Sequence, residues 1–123
     1  MTAAPGEHGL GASGFICPRC GGALWERPEH GAPGFECRIG DTFSALELWV
    51  EHCTARNRAL KIAARELAEN AALARHLATW ASERGEMAMA ARLEEEAASE
   101  DAAYAQVQAM LDGLGGDDSD GTT

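Results

Sequence analysis

Three of the four cysteines fall in the pattern Cys17-x-x-Cys20 … Cys37, and a carboxylate, Asp41, stands four residues after the last of them. Two cysteines separated by two residues on a tight turn can aim both sulfurs at one metal ion. Gly21 and Gly22 follow directly, and glycine lets the chain fold back beneath the sulfurs without a Cβ clash. The segments 23–27 and 35–38 read as two short strands, joined by the stretch 28–34, PEHGAPG, which is dense in turn formers. A hairpin of those strands would return Cys37 to the side of the first pair.

That is the logic of a zinc ribbon, in which a knuckle and a hairpin supply the ligands of one tetrahedral Zn²⁺. Structural zinc sites normally close with four protein donors. Asp41 stands where a Cys-x₃-ligand spacing puts a fourth donor, and carboxylate oxygen binds zinc. Cys53 is the better donor chemically but is poorly placed. Ser44-Ala45-Leu46-Glu47 is a capping box that starts a helix at Ser44, so Cys53 lies ~13 Å along its axis. Asp41 is therefore the preferred fourth ligand and Cys53 the alternative; His52, on the same helix, fares no better than Cys53. His30 sits in the hairpin loop, at the wrong end for the metal. Trp25, Phe15 and Phe35 could form a ligand platform, but so small a module needs its rings as a core and as the seat for the helix.

A chain of 123 residues holds one ordinary domain, or a small metal module with a helical annex. Twenty acidic residues against ten basic ones give a net charge of −10, which argues against nucleic acid as partner, since phosphate binding needs a basic footprint. The N-terminus shows no charged-then-apolar signal pattern, and no apolar run approaches the ~18 residues of a membrane span. With such cysteine spacing the expectation is a soluble protein of a reducing compartment, the cytoplasm. Residues 1–14 (MTAAPGEHGLGASG) are Gly/Ala/Ser-rich and read as a disordered leader. Ser13 within it lacks the strand-turn-helix frame that a nucleophilic serine requires, and reads as linker.

From Ser44 the composition turns to Ala, Leu, Glu and Arg, all strong helix formers. Leu46, Trp49, Cys53, Leu60, Ala63, Leu67, Ala74, Leu77 and Ala81 recur at 3–4 spacing on one face, interrupted by Arg56 and Asn70. The pattern breaks at Ser82-Glu83-Arg84-Gly85, with Gly85 as a C-terminal cap. A second run, Ala90, Leu93, Ala97, Tyr104, Val107, Leu111 and Leu114, carries Glu100 as its polar break. The fold class expected is small α+β: a zinc-ribbon-like β-hairpin over 15–43, then a long antiparallel two-helix hairpin over 44–112, with a disordered acidic tail over 113–123. Folded back, the shorter second helix places Leu77 near Ala91 and Leu60 near Gln108, and runs out near Arg56. Leu46, Trp49 and Cys53 then have no helical partner and are expected to pack on the ribbon, against Trp25 or Phe43. The many alanines allow close helix approach but bury little area, so self-association through the helical stripe would add needed stability.

CPRCGGALWE followed by FECRIGDTFS and a long helix resembles the C-terminal extension of CheB-type chemotaxis proteins, homologues of the protein-glutamate methylesterase found in many bacteria. The matching positions are Cys17, Pro18, Cys20, Gly22, Leu24, Trp25, Glu26, Phe35, Cys37, Gly40, Phe43 and Ser44, and the likeness spans about Phe15 to Leu111. The family carries His where this chain has Asp41, which implies an altered fourth ligand and weaker zinc binding. Its catalytic serine, histidine and aspartate lie in a doubly wound domain upstream, whereas sixteen residues precede Cys17 here, so none of those roles is carried over.

The resemblance therefore implies a non-catalytic, zinc-stabilised protein-interaction module of bacterial signalling, binding a protein partner or a second copy through its helical stripe. Two alternatives come from the residues. A Cys₃Asp site would hold zinc less tightly and leave its thiolates open to oxidation, as in a redox- or metal-responsive switch. A nucleic-acid-binding ribbon is disfavoured by the charge. No enzyme activity is expected.

Overall fold

The computed structural model describes residues 11–29 and 31–114. They form a small α+β fold: β1 (Gly11–Ile16), β2 (Ala23–Glu29), β3 (Ala32–Cys37) and β4 (Thr42–Ser44) precede α1 (Ala45–Glu83) and α2 (Met87–Gly113). The strands make one antiparallel sheet in the order β1-β2-β3-β4. By chain compactness there are two units, Met1–Arg56 and Asn57–Thr123. No helix among the described residues is long and apolar enough to cross a membrane.

The expected hairpin is the centre of the sheet, but longer than its sequence suggests. Pro28 pairs with Pro33 and Glu29 with Ala32, so most of the expected loop is strand; Gly31 lies in the turn, and His30 lies outside the described residues. Phe35 pairs with Phe43, adding β4. The expected leader also needs correction. Residues 11–14 belong to β1, which pairs Gly11 with Glu26, Ala12 with Trp25 and Ile16 with Ala23, with an irregularity between Ala12 and Ile16. Ser13 sits in that irregularity: its hydroxyl donates to the Leu24 carbonyl at 3.0 Å and accepts the Phe15 N–H at 3.1 Å. Strand formation here comes from pairing with β2 rather than from β propensity, which Gly-Ala-Ser-Gly lacks. Residues 1–10 and 115–123, the rest of the expected leader and nearly all of the tail, lie outside the described residues.

Alternation along the strands sorts the side chains. Leu24, Phe35, Cys37 and Phe43 share one face and form the core with Cys17 and Leu48. Phe35 thus takes the core role expected of it, and Phe43 packs in the same core. Trp25 is also buried but belongs to the opposite face, where the Arg38 guanidinium lies 5.4 Å from its ring. Phe15 stands at the rim, 57% exposed and edge-on to Phe35.

Leu46 and Trp49 do not pack on the sheet; they are 70% and 66% exposed. Leu48 is the helical residue that completes the core, with Ala45 packed beside it. The capping box forms as expected, Ser44 N–H donating to Glu47 Oε1 at 2.9 Å and Glu47 N–H to Ser44 Oγ at 3.1 Å. With the helix launched from Ser44 at the end of β4, positions 45, 48 and 52 face the sheet, and Leu46 and Trp49 lie about 100° further round. His52 closes this contact by donating from Nε2 to the Ile16 carbonyl at 2.8 Å. Leu48→Ala should lower the unfolding free energy of this unit by about 2 kcal/mol, whereas Leu46→Ala and Trp49→Ala should change it by less than about 0.5 kcal/mol; urea titration followed by Trp25 fluorescence reads all three.

In the second unit the helices run antiparallel. Asn70 donates to Glu100 Oε1 at 3.4 Å, and Arg75 is ion-paired with Asp101. Gly85 is the cap: Glu86 N–H reaches the Ala81 carbonyl at 2.9 Å and Gly85 N–H the Ser82 carbonyl at 3.0 Å, the bond pair of a Schellman motif. Among the described residues the buried side chains of this unit are all alanines, Ala71, Ala78, Ala81 and Ala97 the most deeply. Leu77, expected within the seam, is exposed, because close backbone approach admits only the smallest side chains.

Candidate metal centre

Two turns of the same design bring the donors together. Cys17 directly follows β1, and its carbonyl accepts the Gly21 N–H at 2.9 Å while its own N–H donates to the Gly22 carbonyl at 2.7 Å. Cys37 ends β3, accepts the Gly40 N–H at 3.1 Å and donates to the Asp41 carbonyl at 3.0 Å. Gly21 has φ 78° and Gly40 φ 118°, values a side chain would strain. Each turn therefore needs a glycine just where the sequence supplies one.

The result is a group of Cys17, Cys20, Cys37 and Asp41 whose ligand atoms all lie within 4.8 Å of one another. Asp41 Oδ2 is 3.7 Å from both Cys17 Sγ and Cys37 Sγ. A tetrahedral ion with metal–sulfur bonds of about 2.3 Å sets its sulfurs about 3.8 Å apart and a carboxylate oxygen about 3.5 Å from each. The four residues are close enough to hold a metal ion with little movement. Cys53 is outside the group, so of the two candidates for fourth donor the structure brings Asp41 to the sulfurs. Cys17 and Cys37 are buried, Cys20 is exposed and Asp41 is half-buried.

Backbone donors prepare the sulfurs for negative charge. Arg19 N–H points to Cys17 Sγ and Gly22 N–H to Cys20 Sγ, each at 3.4 Å. Burial pushes the Cys17 thiol above its ordinary pKa despite such donors. For Cys37, burial acts upward too, but hydrogen bonds from the backbone at Asp41, Gly40 and Ile39 outweigh it and hold the thiol below its ordinary value.

Sequence reasoning passed over Arg19, which sits inside the Cys-x-x-Cys turn. Its Nη1 lies 3.7 Å from Asp41 Oδ1, its Nη2 donates to Glu51 Oε2 at 3.2 Å, and its guanidinium lies 5.0 Å from the centre of the Phe43 ring. One carboxylate oxygen of Asp41 thus faces the sulfurs and the other faces Arg19, which would serve as an outer partner orienting Asp41 toward a metal held there. Glu51 fixes Arg19 in turn. The signal in the sequence was the position of a cation between two cysteines, with a glutamate on the facing turn of the following helix. Arg19→Gln should weaken metal affinity about tenfold, at the low end for loss of an outer-sphere partner, as read by chelator competition.

Neither a family model nor a curated protein nor a solved structure matches the chain. The likeness to the CheB-type extension rests on the motif residues alone.

Proposed function

We propose that this chain is a non-catalytic protein-interaction module whose sheet is held together by one structural zinc ion on Cys17, Cys20, Cys37 and Asp41. The observation that carries the reading is the convergence of four donor atoms within 4.8 Å on two glycine-shaped turns. Three sulfurs select a soft or borderline ion such as zinc over magnesium or calcium. Four protein donors match a closed structural site, and a catalytic one keeps a position open. Cysteines spaced for a metal rather than for a disulfide support a reducing compartment, the cytoplasm. The motif likeness supports a relation to the extension of CheB-type methylesterase homologues, hence to bacterial signalling, with the helical hairpin as the half that contacts other protein. The net charge of −10 speaks against a nucleic-acid partner.

Native mass spectrometry of protein purified without chelator tests this. One zinc per chain, absent from Asp41→Ala and retained in Cys53→Ala, is the expected result; a metal-free folded protein defeats the reading. The exposure of Cys20 beside a buried Cys17 favours a second reading, a thiol switch. In it a peroxide is reduced to water as two thiolates lose two electrons and join as a disulfide, releasing the ion. Zinc retention under stoichiometric peroxide excludes it.

A further inference from the structure

The helical unit carries its large apolar side chains on the outside. With only alanines buried between the helices, it has little core of its own, and two-helix units of this size need another staple. Ile62, Leu73, Leu77 and Trp80 of α1 and Met89 and Met110 of α2 are each between 38% and 51% exposed or slightly more, Leu73 reaching 53%. At 100° per residue the four α1 side chains fall within an arc of about 60°, beside the alanine seam. On the same side of the hairpin a groove of about 280 Å³ opens between the helices, lined by Leu77, Trp80, Met89, Arg92, Leu93 and Glu96. The other side is more polar, carrying the Arg75–Asp101 pair and a groove in which Thr79, Ser82, Glu83 and Glu94 stand beside the exposed Met87.

We infer that this apolar face is where two copies of the chain pair, their hairpins closing into a four-helix bundle. The inference deepens the proposed role of the hairpin as the interacting half and uses nothing at the cysteine cluster. The first argument is area. The six large side chains expose on the order of 600 Å², against the ~800 Å² per partner of a standard interface and above most solitary surface patches.

The second argument is charge, and it selects a second copy over a foreign partner. Arg92 and Glu96 rim the same groove with opposite signs, one helical turn apart. A two-fold contact makes residue i of each copy meet residue j of the other, so this rim is complementary to itself. The helices are complementary as well. Apart from Arg75 and Asp101, already paired with each other, and Glu94 on the other side, α2 carries Glu95, Glu96, Glu100 and Asp112 against the single cation Arg92, whereas α1 beyond Asn57 carries Arg58, Lys61 and Arg65 against three glutamates. Basic α1 laid beside acidic α2 of the other copy is the favoured pairing.

Sedimentation equilibrium of the full chain over about 1–200 µM tests the inference; the expected state is a dimer with Kd at or below about 10 µM. Arg92→Glu and Glu96→Arg alone should each weaken it at least about tenfold, and mixing the two variants should restore it, because each then meets its opposite across the two-fold axis. Both positions are exposed, so folding is not at stake, and Leu77→Glu should give a helical monomer. A monomer throughout the range, a larger assembly, or a dimer indifferent to the charge reversals overturns the inference. Zinc content measured on the same samples separates the two proposals: a monomer that keeps its metal defeats the dimer alone, and a metal-free dimer defeats the zinc site alone.

Discussion

Cys37→Ser should abolish metal binding and unfold the sheet while leaving most of the helical far-UV signal in place, and chelation of the wild-type chain should do the same. The reason is the size of the core. It contains Cys17, Leu24, Phe35, Cys37, Phe43 and Leu48, so two of its six members are candidate metal ligands. Units this small bury too little apolar surface to offset the entropy of ordering the chain. Structural zinc in comparably small modules contributes about 10–16 kcal/mol of apparent binding free energy at neutral pH, which is there folding free energy. Removal of one thiolate forfeits most of that and leaves the buried Cys17 sulfur without the ion that would hold it. Trp25 reports the event: it is 6% exposed, whereas Trp49 and Trp80 are already open to solvent, so a red shift on adding chelator arises from Trp25. Native-like fluorescence in Cys37→Ser would show instead that the four strands hold without metal.

The donors and the helices were legible because each follows from local rules. The Cys-x-x-Cys turn and its glycines announced one half of the centre, and Asp41 was reached from helix geometry that ruled against Cys53. The capping box at Ser44 and Glu47 and the break at Gly85 set the helix ends within a residue or so. What failed was whatever depended on neighbours. Gly11 to Gly14 have no strand propensity and become a strand only because β2 offers an edge. Leu46 and Trp49 share a stripe with residues further along α1, but one helix serves two different neighbours, and its first turns face the sheet through Ala45, Leu48 and His52. A single phase read over the whole length of α1 could not show that. Arg19 was missed for a related reason: its role appears only when Asp41 and Glu51 are brought to it from elsewhere in the chain.

Asp41 is the position at which zinc affinity is most open to change in either direction. Asp41→Ala should lower affinity by more than about 100-fold, exceeding the 10–100-fold cost of losing an outer partner, because it removes a donor and opens the site to water. Asp41→His should raise affinity above wild type, since imidazole nitrogen completes the common Cys₃His set and is the residue that the resembling motif carries. The gain has a cost that can be measured. His has no oxygen to offer Arg19, whose Nη1 now faces Asp41 Oδ1 at 3.7 Å, so Arg19→Gln should cost less in the Asp41→His background than in wild type. That coupling separates a ligand from a bystander. If Asp41 merely lies near the sulfurs, then Asp41→Ala and Cys53→Ala will leave zinc affinity equally untouched, and Arg19→Gln will have the same effect whatever stands at position 41. If Asp41 is the fourth donor, competition with a chromophoric chelator will rank the variants Asp41→His, wild type, Arg19→Gln and Asp41→Ala from tightest to weakest, with Cys53→Ala indistinguishable from wild type.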